Sequence, residues 1–513
     1  MRGFNIFGPM KTIFLLVLTG SVFICQAQKI PDPVPFANSI KADNLRKHLY
    51  QIAGPAFEGR ETATRGQRMT AAYIEEYFKS IGLKPGNRDS FQMAFPVFID
   101  SLTSAEVKIN GRSYAPNADF DIRLANIHSM ALGCSEIVYA GFGLSDSVHD
   151  DYNGLDVAGK LVIVLSGYPT GYLQTQSNKR SFNSFAKQDA AMQHGAVGVL
   201  IIQEDFPHHA VPDKGRMYLK NYQSRIRPNS VYISETMARA IMGADYDKAK
   251  TASLEPKSYT ADVWISVQKE VLNPQSTDVL GYLEGGDLKD QLLVISAHYD
   301  HLGKKDSVIY FGADDDGSGT VSLLELAAAF VRAKKAGKGP RRSILFLANS
   351  GEEKGLWGSD YYTTHPVYPL NQTTADLNID MIGRKDPGKK QGDSNNYIYI
   401  VGDDKLSSDL HPISVEMNKK YVGLELDYKF NDPKDPERIY YRSDHFNFAR
   451  KGVPIIFYFD GIHHDYHKPT DTPDKINYDL MTKRAQLVFY TAWEMANRND
   501  MLTRDLPPVT STR

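Results

Sequence analysis

Leu292-Leu293-Val294-Ile295-Ser296-Ala297 runs straight into His298-Tyr299-Asp300-His301. Six uncharged residues that stop at a cluster of imidazole and carboxylate groups predict a strand buried on both faces, as in parallel sheets. The texture returns in Ser343–Ala348, Asp376–Ile382 and Pro454–Phe459. Between the strands, Val321–Lys334 carries apolar residues at 323, 324, 327, 328 and 330, the spacing of a helix packed on a sheet, and Tyr478–Asn497 reads as a closing helix. Strands alternating with helices predict an α/β fold with a mixed, largely parallel sheet flanked by helices.

Toward the amino terminus, Leu45, Leu49 and Ile52, then Ala71, Ile74, Tyr77, Phe78 and Ile81, recur at helical spacing around a Gly- and Pro-containing loop at Gly54–Arg60. From about Phe91 to Val267 the pattern changes to short β-branched runs, such as Lys160–Leu165 and Gly195–Ile202, with one helical stretch at Phe185–His194. That region shows no catalytic constellation and reads as a β-rich inserted module. The expected division is a signal at 1–27, a first part of the main domain at 28–92, the insert at 93–268, a second part carrying the site at 269–505, and a tail at 506–513.

Composition removes several classes. The 513 residues carry 59 basic and 61 acidic side chains, for a formal charge of -2, and 42% are hydrophobic. Neither a basic footprint for nucleic acid nor the signature of disorder is present. Two cysteines make no disulfide scaffold. Arg2 and Lys11, the apolar run Thr12–Ile24 and the small residue at Ala27 form the parts of a secretory signal cleaved after Ala27, with Met10 as an alternative start. Cys25 raises lipoprotein anchoring as an alternative, against which stands Ile24 where a small residue is usual. No second run of about 18 apolar residues follows, so no transmembrane helix is expected and the protein is expected in the periplasm or outside the cell.

The reactive residues follow the strands. His298, Asp300 and His301 follow the first, Asp314-Asp315-Asp316 precede the helix, Glu352-Glu353 follow the second strand, Asp380 ends the third, and His463–His467 follow the fourth. Open α/β sheets place their ligand site beyond the carboxyl ends of the strands, so residues from 298 to 467 are expected in one crevice. Imidazole and carboxylate ligands without thiolate fit zinc, with manganese or cobalt as alternatives. Three carboxylates and two imidazoles suit two metals sharing a carboxylate, and one glutamate of the pair is then free to handle protons. Taken singly, the Asp-rich turn could be a solvated loop and the glutamates a helix terminus. Their joint placement at four strand ends favours a site.

His298-x-Asp300, Gly312-Ala313-Asp314-Asp315-Asp316-Gly317-Ser318-Gly319, Gly351-Glu352-Glu353, Asn378-Ile379-Asp380 and Asp465-Tyr466-His467-x-Pro-x-Asp471 resemble the co-catalytic zinc aminopeptidases, a family that includes glutamate carboxypeptidases and glutaminyl cyclases. The likeness covers roughly 44–90 and 270–500, and the insert resembles a protease-associated domain at Asp156–Val162 and Ala190–Ile202. It implies two zinc ions, one held by His298, Asp315 and Asp380, the other by Asp315, Glu353 and His467. It implies Glu352 as general base, Asp300 as the carboxylate orienting His298, and a cis peptide after Asp315. Tyr440 sits at the offset of the tyrosine that reaches the substrate oxygen, with Tyr441 adjacent and not separable from it; Asp444 and His445 read as supports. The implied reaction is hydrolysis of amino-terminal residues from a peptide substrate by water held between the metals. A metallocarboxypeptidase is the main alternative, ahead of a glutaminyl cyclase, a receptor-like module and a two-metal phosphatase.

Overall fold

A computed structural model describes residue 3 and residues 30–125, 127–172, 185–208, 212–219 and 226–507. The expected signal at 1–27, apart from Gly3, and the end of the tail lie outside these residues. Two nine-stranded sheets dominate. The strands that position the site are β1 (Gln275–Leu283), β2 (Leu288–His298), β3 (Arg342–Asn349), β4 (Thr373–Ile379), β5 (Tyr397–Val401), β6 (Glu425–Asp427) and β7 (Ile455–Phe459). They lie in the order β1-β3-β2-β4-β7-β5-β6. Strands β3, β2, β4 and β7 are mutually parallel, whereas β1 and β5 run antiparallel to their neighbours β3 and β7.

The alternation of β2 explains its apolar sequence. Leu293, Ile295 and Ala297 face one core, shared with helices α1 (Ala42–Ile52), α2 (Arg65–Ile81), α3 (Gly319–Lys335) and α4 (Tyr478–Asn497). Leu292 and Val294 face the other, with Leu345, Tyr362, Tyr399, Phe448 and Phe457. Both faces are dry, so no polar alternation survives. Helix α3 is buried almost all round, and Phe330 stands against Phe489 and Trp493 at centroid distances of 4.7 and 5.7 Å.

The second sheet runs from Phe98 to Leu272, closed by a long antiparallel pair between Phe98–Ile109 and Lys257–Leu272. It has its own cores on its two faces, one with Ile137, Ile163 and Leu200, the other with Val138, Val162 and Val199. The boundary expected at residue 93 falls inside a strand, because Gln92–Pro96 pairs with Gln275–Val279 of β1 and belongs to the first sheet. Among the described residues no helix is long and apolar enough to cross a membrane.

Candidate metal centre at the strand ends

The parallel strands aim their carboxyl ends at one place. His298 is the last residue of β2, Glu352 and Glu353 lie three and four residues beyond the end of β3, Asp380 directly follows β4, and His467 lies in the loop after β7. Asp315 comes from the turn entering α3, and the Asp315–Asp316 peptide is cis. That turn needs Gly312: its φ is +54°, and a Cβ there would lie 2.3 Å from the Asp315 carbonyl oxygen and 2.4 Å from the His301 ring.

His298 Nε2 lies 3.3 Å from Asp315 Oδ1, 3.6 Å from Asp380 Oδ1 and 3.9 Å from Glu352 Oε2. His467 Nε2 lies 3.0 Å from Asp315 Oδ2 and 3.2 Å from Glu353 Oε2. The expected ligands His298, Asp315, Glu353, Asp380 and His467 are thus brought together, with Asp315 between the two imidazoles and Glu352 beside them. His298 Nδ1 lies 3.1 Å from the Asp300 carbonyl oxygen. A carbonyl can only accept, so Nδ1 carries a proton and Nε2 faces the carboxylates. The Asp300 carboxylate itself accepts from Thr62 Oγ1 at 2.6 Å and from the Glu352 backbone N–H at 3.2 Å, while standing 3.7 Å from His298 Nδ1. It therefore ties the Glu352 turn to the end of β2.

Two neighbours were not assigned roles from the sequence. His301 Nδ1 lies 2.8 Å from Glu353 Oε1, which groups it with Asp315 and Glu353 as groups able to hold a metal. Asp316 groups in the same way with His298 and Asp380. Its carboxylate, however, accepts from the backbone N–H groups of Gly319, Met381 and His298 at 2.8, 3.1 and 3.2 Å. Asp316 braces three segments. The His-x-x-His spacing of 298 and 301 was the signal for His301.

Tyr440 stands elsewhere. It is buried in the core beneath β5, with its ring close to Gly402, Tyr441 and His445, and does not line the cleft. The cleft is walled by Asp315, Glu352 and Asp380, by the apolar side chains of Met381, Ile439, Phe457, Phe459 and Ile462, and by Arg442 and Tyr466.

The electrostatics of the cluster favour positive charge. Burial opposes charge on His298, but Asp380 and Glu352 outweigh it and hold the imidazole well above its ordinary range. His467 is likewise pushed up to about 10, burial being more than offset by Asp315 and Glu353. Burial, reinforced by Glu353 and Asp380 and partly offset by His298, raises the Glu352 carboxyl well above the usual carboxylate range. Protons are therefore held where carboxylates crowd. Meanwhile His298 Nε2, Asp315 Oδ2, Glu353 Oε1 and both ring nitrogens of His301 are buried close to one another but without a hydrogen bond of good geometry. Such atoms are costly unless something satisfies them. A divalent cation would, and imidazole with carboxylate is a donor set that suits zinc.

Residues 278–492 match the model of peptidase family M28. A protein named "Probable leucine aminopeptidase" from Arthroderma otae is 30% identical over 216 residues, which is 41% of this chain and 56% of the relative. The chain spans about half the length of the first curated relatives it matches. In fold it is similar to an aminopeptidase from Aneurinibacillus sp. strain AM-1 (TM-score 0.52, 19% identity, covering 93% of this chain and 99% of the other). A zinc aminopeptidase from Bacillus subtilis is comparable (TM-score 0.50, 19% identity, covering 91% and 99%). At that identity the likeness concerns the fold.

Proposed function

We propose, from the premise that the chain carries a domain of peptidase family M28 over residues 278–492, that the protein is an exported zinc-dependent exopeptidase, and specifically an aminopeptidase. The observation that carries this reading is the convergence of His298, Asp315, Glu353, Asp380 and His467, with buried donor atoms left unpaired, beside a Glu352 that is not needed as a ligand.

His298, Asp315 and Asp380 would hold one zinc, and Asp315, Glu353 and His467 the other. We assign His467 rather than His301 to the second position because its Nε2 reaches both Asp315 and Glu353, whereas His301 Nδ1 stays 3.8 Å from Asp315. His301 then orients Glu353. Bound there, zinc supplies Lewis acidity toward the attacking water and the scissile carbonyl. Glu352 accepts the proton of that water and returns it to the leaving amine, the work of a carboxylate placed beside the metals but not held by them. Asp300 keeps Glu352 in reach by accepting its backbone N–H. The apolar wall of Met381, Ile439, Phe457, Phe459 and Ile462 suits a bulky apolar side chain at the cleaved residue.

The insert, read as a protease-associated module, would form a wall beside this site: Met217 and Leu219 pack with Phe95 and Trp357, and Trp357 flanks the turn that carries Glu352. Arg442 at the cleft is the observation that favours a carboxypeptidase, because a guanidinium suits a carboxylate. The deciding experiment is release from aminoacyl-anilides and from amino-blocked peptides with free carboxyl ends, before and after chelation and zinc restoration. Chelator-sensitive release from free-amine substrates alone is the expected result. Release from the blocked peptides alone would establish the carboxypeptidase instead.

A further inference from the structure

His301 is a fully buried imidazole whose placement goes beyond orienting Glu353. Its backbone is fixed, since the N–H donates to the Arg60 carbonyl at 3.3 Å and the ring lies against Gly312. Nδ1 stands 2.8 Å from Glu353 Oε1 and 3.8 Å from Asp315 Oδ2, yet neither ring nitrogen makes a hydrogen bond of good geometry. A packed interior rarely leaves an imidazole in that state without a function for it.

His467 approaches the same two carboxylates from another side. Glu353 turns Oε2 to His467 Nε2 at 3.2 Å, and Asp315 Oδ2 lies 3.0 Å from that nitrogen. The two imidazole centroids are 5.9 Å apart, with planes at 67°. Donor atoms about 2.0–2.2 Å from a tetrahedral zinc stand about 3.3–3.6 Å from one another. The separations on the His301 side, 2.8 and 3.8 Å, bracket that spacing as those on the His467 side approach it. His301, Asp315 and Glu353 thus form a group able to hold a cation without His467. The two rings differ in how firmly they are held. The His467 side chain is 37% exposed and its backbone sits at φ +56°, where a residue with a Cβ is uncommon, whereas the His301 side chain is 0% exposed.

We propose that His301 is a standby zinc ligand, which holds the ion shared by Asp315 and Glu353 when the exposed His467 imidazole leaves it. The inference rests on the two zinc positions proposed above. Exchange breaks one Zn–N bond and forms another. Both rings bind as neutral imidazoles, so no electron moves and no proton leaves the site. With no hydrogen bond fixing either nitrogen, the His301 ring is free to carry its proton on Nε2 and offer the Nδ1 lone pair. Loss of His467 then weakens the second position without abolishing it.

The test strips the full chain of metal and titrates it with zinc against a chromophoric chelator, and with cobalt(II) by its visible absorption. The parent is expected to bind two ions. His467→Ala should still bind two, the second weakened by about 10–100-fold, the loss typical of disturbing a site's support. His301→Asn keeps a donor for Glu353 but offers zinc no imidazole, and should by itself leave two ions bound. Combined with His467→Ala it should bind one, the cobalt absorption levelling off at the first equivalent; His301→Gln serves in the same way if Asn fills the buried space too poorly to fold. If His301 only orients Glu353, the retained donor suffices and the double variant binds the second ion as His467→Ala does. That result overturns the proposal, as does loss of the second ion in His467→Ala itself. A parent that binds fewer than two ions would instead overturn the two-zinc reading, and this role with it.

Discussion

Replacing Arg60 by Met should both destabilise the fold and weaken metal binding, although Arg60 holds no metal. The guanidinium is fully buried. Nε donates to the Tyr299 carbonyl at 2.8 Å, Nη1 to Ile52 and Phe311 at 3.1 and 2.7 Å, and Nη2 to Gly312 at 2.7 Å. Its own carbonyl accepts from the His301 N–H at 3.3 Å. One planar fork thus joins the end of α1, the segment after β2 and the turn that precedes Asp315. Hydrogen bonds from a charged group contribute about 1.5–3 kcal/mol each, so four amount to roughly 6–12 kcal/mol gross. Taking a guanidinium out of water costs several kcal/mol of that, leaving a net loss of about 3–5 kcal/mol on truncation, the usual cost of breaking a buried charged network.

For a domain of this size that corresponds to a melting temperature lower by roughly 6–20 °C. Because Tyr299, Gly312 and their neighbours carry Asp300, His301 and Asp315, zinc affinity should fall by at least about tenfold. Arg60→Lys should recover less than half of either effect, since an ammonium has three donors and no planar fork. Thermal unfolding of the metal-free protein and zinc competition with a chromophoric chelator measure the two. Reasoning from this network is refuted if Arg60→Met melts within about 2 °C of the parent and binds zinc equally well.

Two further outcomes follow from the same geometry. Burial pushes the His445 imidazole down to about 3, its Nε2 donating to the Tyr440 carbonyl at 2.8 Å and its ring stacked on Phe457. Below the ordinary imidazole value of about 6.5 the unfolded chain takes up a proton that the folded chain refuses, so stability falls as pH drops from about 6.5 toward 3, by roughly 2 kcal/mol between pH 6.5 and 4.5. His445→Gln keeps a donor and removes that slope; superimposable pH profiles of melting temperature for parent and variant would speak against it. Gly312→Ala forces a Cβ into the Asp315 carbonyl and the His301 ring, and should cost several kcal/mol and most zinc affinity; a variant that binds zinc normally would show that the turn yields without harm.

Much of this arrangement was legible in the sequence because it follows from local chemistry. A strand with two dry faces must be apolar throughout, so β2, β3 and β7 stood out, and polar residues at their ends had no packing reason to be imidazole and carboxylate. The closing helix Tyr478–Asn497 and the helix of Gly319–Lys335 carried their own periodicity. What could not be read depends on direction in space. Gly54–Arg60 looked like an ordinary Gly- and Pro-containing loop, and the role of Arg60 appears only when four carbonyls from distant segments turn toward it. Asp316 and Asp315 are indistinguishable in a run of three aspartates until backbone N–H groups are seen to occupy one of them. The two tyrosines divide likewise: Tyr440 has the expected offset from Ser443, but its ring turns into the core, and the cleft is left to Tyr466. The strand Gln92–Pro96 belongs to β1 because of a pairing some 180 residues away, which its own composition does not announce.

The central claim is that a two-metal cluster and a separate proton-handling glutamate share this cleft. It is tested most directly by measuring bound zinc and anilide turnover together on the parent, Glu352→Gln and Asp315→Ala. The account predicts two zinc ions in the parent, zinc retained but turnover lowered by about 10²-fold or more in Glu352→Gln, and both lost in Asp315→Ala. Full turnover in Glu352→Gln, or turnover by the parent stripped of metal, would contradict it.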